Sequence, residues 1–304
     1  MKLAKLSLAA IVVAGLTSSA FAADTLEGAF KEGKVSGELK AYYFDADYVD
    51  SSGDIFTTGL MLNYKTGSLN GFSLNFTGQA ASSPFADVDG KDIYDGSMWT
   101  SGAVLSEAYV EYTLKNTIVR VGRMFLDTPL FASSGNRVVK QAFEGAAVIN
   151  TDLPNTTLIA GYVQKFQARG AGDGKIGTFT KSFGTGSGVV ETAIDSNIPV
   201  EDGAYTLAAI NKSISGLTLT AAYANVVDII QVGYAEAAYE LKANAFTYGL
   251  AAQYYYNNID NAFADLDNNN LWGVKASVGY GAFGAYAAYS KVNNKTNGVG
   301  VPQA

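Results

Sequence analysis

Along most of the chain apolar and polar residues alternate one for one. In Gly71–Gln79, Phe72, Leu74 and Phe76 fall on one parity and Ser73, Asn75, Thr77 and Gln79 on the other. The same code runs through Val35–Phe44, Phe56–Lys65, Phe246–Tyr256 and Trp272–Tyr280. In Glu107–Leu114, Glu107, Tyr109, Glu111 and Thr113 oppose Ala108, Val110, Tyr112 and Leu114. A period of two is the strand signature, and about ten residues is the length a tilted strand needs to cross a bilayer. Two stretches, Ile118–Arg123 and Ile229–Leu241, mix their parities, which predicts a bulge or a rim position there.

The connections alternate as well. Short turns are predicted at Gly67–Gly71, Lys115–Asn116, Thr151–Asn155, Ser213–Gly216, Lys242–Ala245 and Tyr280–Ala282. Between them lie polar loops at Asp45–Ile55, Ala80–Gly102, Leu126–Gln141, Phe166–Glu201 and Asn257–Asn270. Short turns at one end and long loops at the other describe an all-β, antiparallel transmembrane β-barrel of the bacterial outer-membrane type. Closure satisfies every backbone group and lets the apolar face meet lipid. A soluble sandwich would bury its aromatics mid-strand, whereas Tyr42–Phe44, Tyr254–Tyr256 and Trp272 lie near strand ends, as interfacial girdles do. About thirteen strands can be counted, the last at Phe283–Val292. Single-chain bacterial barrels have an even number, so the count predicts either strands missing at the C-terminus or a fourteenth strand overlooked.

Composition sharpens this picture. Lys2 and Lys5, the apolar run Leu6–Leu16 and Ala20-Phe21-Ala22 form a secretory signal peptide over residues 1–22, leaving 23–304 as the barrel. Removing its two lysines takes the formal charge from −7 to −9, which speaks against a nucleic-acid partner. The chain contains no His and no Cys, which removes the usual nucleophile–base pairs and the imidazole and thiolate metal sites. Glu107 and Glu111, four apart on a strand, are separated by about 13 Å, too far to act on one bond as glycosidase carboxylates. The sequence therefore predicts no enzyme and no cofactor. Gly170–Gly174 and Lys181–Gly188 lack the Lys-Ser/Thr ending of a phosphate loop. Asp87–Gly90 and Asp265–Asn268 resemble fragments of calcium loops without the spaced Glu; a loop-bound divalent cation is the one ion they could hold.

The third long loop, residues 126–141, carries Asp127, Arg137 and Lys140, with Arg120 and Arg123 before it and Glu144 after it. Charges of both signs across a water-filled lumen set up a transverse field. With Glu107 and Glu111 these make the candidate pore lining; a surface loop with scattered charge is the alternative.

Several of these residues carry a resemblance. Glu107–Val110, Val121–Phe131 (VGRMFLDTPLF), Asn136–Arg137, Phe143–Gly145 and Thr157–Tyr162 are similar to the OprD-like outer-membrane porins, nearest to the Opr-type porins and major outer-membrane proteins of epsilonproteobacteria. The match is specific over residues 100–165 and looser beyond. It implies an eighteen-stranded barrel in the outer membrane of a Gram-negative bacterium, with lipid and lipopolysaccharide around it. It also implies a constricting third loop, a homotrimer and passive diffusion of ions and small charged solutes. A lumenal arginine ladder is typical of the OprD group, and the resemblance makes Arg120, Arg123, Arg137, Lys165 and Arg169 its candidates here. The acidic balance fits the epsilonproteobacterial branch and weak cation selectivity. The rival reading is a structural or adhesive surface barrel whose loops, Phe166–Glu201 above all, plug the lumen.

Overall fold

The alternation of Leu74, Asn75, Phe76 and Thr77 becomes physical as exposure. Phe72 and Phe76 are exposed, while Ser73, Asn75, Thr77 and Gln79 are buried on the opposite face of the same strand. A polar face that is covered and an apolar face that is bare is the reverse of a soluble sheet, and it defines an inner and an outer side. The computed structural model describes residues 23–48, 51–183, 198–261 and 268–293.

After a short helix α1 (Leu26–Lys31), the strands run β1 (Lys34–Asp47), β2 (Ser52–Lys65) and β3 (Phe72–Ser82). A loop holding helix α2 (Val88–Tyr94) leads to β4 (Gly102–Leu114), β5 (Thr117–Met124), β6 (Ala142–Asn150) and β7 (Thr156–Gln167). Three two-residue pieces follow, β8 (Phe179–Thr180), β9 (Ser182–Phe183) and β10 (Ile198–Pro199). The series resumes with β11 (Ala204–Asn211), β12 (Leu217–Val226), β13 (Ile230–Ala243), β14 (Phe246–Ile259), β15 (Asn269–Tyr280) and β16 (Phe283–Asn293). The long strands pair in sequence order, β11 following β7 directly, and form one antiparallel sheet in which β8 adds a short stub to β7. Thirteen long strands match the sequence count.

The short turns fall where predicted. Leu114 pairs with Thr117 across Lys115-Asn116, and Lys115 takes the left-handed conformation (φ +52°), as do Asn155 and Asn244 in their turns. The opposite end differs from expectation at two connections. The expected loop Asp45–Ile55 is mostly strand, since Phe44 pairs with Ile55 and Asp47 with Ser52. Hydrophobic alternation reports only the part of a strand that meets lipid, and this hairpin continues beyond it. Val227–Ile229 then joins β12 to β13 in three residues, a tight link on the side of the long loops.

Two levels of aromatic contact mark the outer face. Phe72–Tyr112 (4.5 Å between ring centres) and Phe246–Tyr280 (4.7 Å) lie by the short turns. Tyr162–Tyr205 (5.0 Å) and Trp272–Tyr289 (5.4 Å) lie nearer the loops. Between them the outward residues are Leu39, Leu60, Val110, Leu207, Leu250 and Val274, all exposed. Neither untidy stretch holds a bulge; Ile118–Arg123 instead ends at the rim by the loops, and the bulges lie in β4 and β7. Thr77 pairs with Glu107 but Gly78 with Leu105, so Ser106 is the extra residue of β4. Glu144 pairs with Lys165 but Gly145 with Val163, so Gln164 is the extra residue of β7. Strand β13 pairs without a break on both sides.

Among the described residues β1 pairs only with β2, and β16 only with β15. All of β16 is exposed. Since an odd number of alternating strands separates them, these two edges run in the same direction.

Candidate functional site

The inner wall is richest in charge where β1 to β5 pass. Glu111 on β4 lies directly across from Arg120 on β5. Its carboxylate accepts from Arg120 Nε at 2.7 Å and from Lys65 Nζ at 2.8 Å, so two cations from β2 and β5 share one acid. Arg120 also lies over the Tyr109 ring, 5.4 Å from its centre. On β1, Lys40 sits 3.6 Å from Glu38. Glu107, one turn of the ladder nearer the loops, is 9% exposed and has a different task. It accepts from Asn75 Nδ2 at 3.1 Å, from Thr77 Oγ1, and from the backbone N–H of Phe125 at 3.0 Å. The carboxylate holds the first residue past β5 against the wall.

From that point residues 126–141 fold inward. Pro129 and Leu130 make a tight turn closed by Thr128, whose hydroxyl donates to Phe131 O and accepts from Phe131 N–H. Leu126 and Phe131 join the buried cluster of Tyr109, Met124, Phe143 and Phe166. The far end of the loop crosses to β2 and β3. Gln79 grips the backbone of Lys140 twice at 2.8 Å, its amide donating to the carbonyl and its carbonyl accepting from the N–H. Val138 and Val139 are buried with Ile55, Ala81, Met98 and Ile176. Gly59 makes room for them, since a Cβ there would lie 2.6 Å from Val138 Cγ2. Arg137 reaches the Phe44 ring of β1 at 5.4 Å, and Arg169 donates to Ser134 Oγ at 2.8 Å. The loop thus strings from β5 to β1 across the inner side.

Its charges sit in an environment that disfavours them. Burial pushes the Asp127 carboxyl above its ordinary range, with Lys140 opposing. Burial likewise holds the Lys140 amine below its ordinary range, against the pull of Glu107 and Asp127. The Lys140 ammonium lies 4.4 Å from the Phe125 ring centre.

Of the ten residues singled out by sequence, Glu107, Glu111, Arg120, Asp127, Arg137, Lys140 and Arg169 gather at this inner face. Arg123, Glu144 and Lys165 do not. Met124 and Phe143 are buried in the inner cluster, so Arg123 and its cross-strand partner Glu144 point outward, and the Gln164 bulge turns Lys165 the same way. Glu144 binds Arg123 Nε at 2.9 Å and Lys165 Nζ on its other oxygen. Arg123 is capped by Phe179 of β8 at 4.5 Å. This triad ties three strands together at the loop end of the outer face and is not part of a lumenal ladder. The acidic segment Asp87–Gly90 also has a local explanation, since Asp87 caps α2 by accepting from Gly90 N–H at 2.6 Å. Among the described residues no three acidic side chains converge as a metal site; Asp265 and Asp267 lie outside the described residues, as does most of Lys181–Gly188.

Sequence reasoning missed the facing stretch of wall. Residues Tyr234, Glu236, Glu240 and Lys242 of β13 share the inner parity with Gln253 and Tyr255 of β14 and with Lys275 of β15. Tyr234 and Tyr255 stack at 4.5 Å, and the Tyr234 hydroxyl donates to Glu236 at 2.9 Å. Alanines 235, 237 and 238 flatten the alternation here, so the two faces differ little in polarity along the strand.

The family model described as Campylobacter major outer membrane protein matches residues 1–301. Solved structures with a similar fold include a BenF-like porin from Pseudomonas fluorescens Pf-5, with a TM-score of 0.72 at 16% identity, covering 87% of this chain and 68% of that one. Acinetobacter baumannii OccAB2 gives 0.70 at 20% identity, covering 89% and 71%. Pseudomonas aeruginosa OccD3 (OpdP) gives 0.68 at 18%, covering 85% of this chain, which spans only 56% of the OccD3 chain. At these identities the likeness carries the fold alone. No curated protein sequence matches the chain.

Proposed function

We infer the function of this chain from one premise: it belongs to the Campylobacter major outer membrane protein family. It is a protein of the Gram-negative outer membrane, and its long strands are transmembrane β-strands. We propose that it lets ions and small hydrophilic solutes diffuse passively through a lumen narrowed by residues 126–141. The observation that carries this is a polar inner wall, Lys65, Glu111 and Arg120 among its groups, lying on the short-turn side of a loop tied across to β1, β2 and β3. A wall built only to be packed would not keep three ionised groups on its inner face, two of them the partly exposed Lys65 and Arg120, since burying charge costs several kcal/mol per ion.

Weak cation selectivity belongs to this reading, but its carriers change. Glu107 is spent on Phe125 and Glu111 on two cations, so neither supplies free negative charge to the lumen. Outer-membrane lipid and lipopolysaccharide against the exposed apolar face, and assembly as a homotrimer, are further parts of the proposal, supported by family membership.

A surface barrel with a plugged lumen is the second reading. Its support is the buried cluster in which three loops meet, Met98 from the second, Val138 and Val139 from the third, and Ile176 from the fourth. Planar-bilayer recording of the full chain decides between them. Discrete conductance steps are the expected result; a bilayer that stays silent while the protein shows heat-resistant barrel mobility on gels would establish the plug.

A further inference from the structure

The inner-wall carboxylates differ in how far they are neutralised. Glu111 carries Lys65 and Arg120, Glu38 has Lys40, and Glu240 has Lys242 at 3.4 Å. Glu107 accepts three hydrogen bonds and is shut away behind the loop. Glu236 is different. Among the described residues no basic side chain lies within ion-pair distance of it, and its one hydrogen bond comes from the Tyr234 hydroxyl to Oε2.

Its surroundings favour an occupant of a particular kind. Directly across the ladder stand Gln253 on β14 and Thr220 on β12, both neutral. One step toward the loops Tyr234 pairs with Tyr255, rings 4.5 Å apart and inclined at 40°. One step the other way the inner face carries only the small side chains of Ala238 and Ala251, with Gly249 and Gly273 nearby. Lys275 of β15, two strands from Glu236, lies over the Tyr286 ring of β16, 5.0 Å from its centre. An uncompensated carboxylate beside aromatic faces is the chemistry that holds an ammonium group: the charge meets the carboxylate and its alkyl shell meets the ring quadrupoles.

We propose that Glu236, Tyr234 and Tyr255 form a lumenal recognition site for organic ammonium cations and act as the specificity-determining group of the pore. The site deepens the diffusion reading and rests on it for its purpose, though not for its binding. Its test uses the full chain refolded in detergent micelles, with tetramethylammonium chloride as the probe and saturation-transfer NMR as the readout. The wild type is expected to give a transfer signal that the uncharged analogue tert-butanol does not. Glu236→Gln, nearly isosteric, should lose at least four-fifths of it, and Tyr255→Leu most of it. Glu111→Gln, on the paired side, should keep it. Tyr234→Phe preserves the ring and frees the second carboxylate oxygen, so it should bind at least as well. A wild-type chain without signal, Glu236→Gln equal to wild type, or Glu111→Gln losing as much would each overturn the site. Bilayer recording separates this from the broader reading. Binding without conductance removes the diffusion pore and leaves the site; conductance without binding removes the site and leaves the pore.

Discussion

Gln79→Leu tests whether residues 126–141 are a fixed constriction held by the wall. The substitution keeps the volume and removes the two 2.8 Å bonds to the Lys140 backbone together with the 2.7 Å bond to Ser106 Oγ. Each neutral hydrogen bond contributes about 0.5–1.5 kcal/mol net. Water in the lumen can take over part of what is lost, so the two bonds to the loop sum to about 2 kcal/mol. Burial of Val138 and Val139, 3% and 0% exposed, opposes release, at about 1.5 kcal/mol or more for each side chain. The apolar anchors outweigh the lost bonds, so the loop should stay docked while its last residues open more often. At 1.4 kcal/mol per tenfold, exchange of the Lys140 amide should rise on the order of thirtyfold. The assay is hydrogen exchange on the detergent-refolded chain, read on peptides covering 138–141 and, as a control, on peptides around Thr128–Phe131, where protection should not change. Unchanged protection at 138–141 would refute the Gln79 clamp. Equal loss over the whole loop would refute the ranking of apolar above polar anchors.

Further outcomes follow from the same geometry. Gly59→Ala drives a Cβ into Val138 and should shift single-channel conductance, and Val138→Ala in the same chain should restore it. Arg120→Ala leaves Glu111 with Lys65 alone and should move the reversal potential in the cation direction, by less than a fully unpaired Glu111 would produce. Arg123→Ala removes an outward arginine and should leave the reversal potential where it was, while lowering resistance to heat through loss of the Glu144 pair; a selectivity shift would return Arg123 to the lumen. Asp127 has a folded-state pKa above its unfolded value, so the native state binds its proton more tightly. Stability from this group is therefore full below the ordinary carboxylate value and is lost as pH rises through the raised folded value. Resistance to thermal unfolding should therefore gain a limb as pH falls through the raised value, and Asp127→Asn should abolish that limb of the pH profile.

What the sequence disclosed and what it withheld divide along one physical line. The period of two survives wherever an outward residue must be apolar, as in Phe72, Leu74 and Phe76, because lipid tolerates nothing else. The inner and outer sets of β3, β4 and β14 could therefore be read directly. Arg123, Glu144 and Lys165 read from sequence as candidate lumenal charges because their part of the outer face lies by the loops, where lipid no longer forbids charge. The Ser106 and Gln164 bulges add to the difficulty, since a two-for-one pairing has no counterpart in the local sequence. Glu236 was overlooked for a related reason: alanine suits either face, so a strand rich in it loses the contrast that parity depends on.

Selectivity shows the same division at the level of charge. A formal charge of −7 predicts a field that attracts cations, but a lumen responds to the charges that stay unbalanced within a Debye length of about 8–10 Å. Glu111 lies inside that distance of Lys65 and Arg120 and contributes a net positive group; Glu240 is offset by Lys242. Asp127 shares its loop with Lys140, and burial disfavours the ionised form of each. Among the described strand acids of the inner wall, Glu236 is the one with neither a basic side chain at ion-pair distance nor more than one hydrogen bond, and the residues across the ladder from it, Gln253 and Thr220, are neutral. A single carboxylate in a narrow lumen weighs more than several paired ones, because an ion passing a pair meets a dipole whereas an ion passing Glu236 meets a charge. The acidic composition and the proposed cation preference therefore agree in sign while resting on different residues, and exchanging Glu111 and Glu236 one at a time for glutamine tells the two apart.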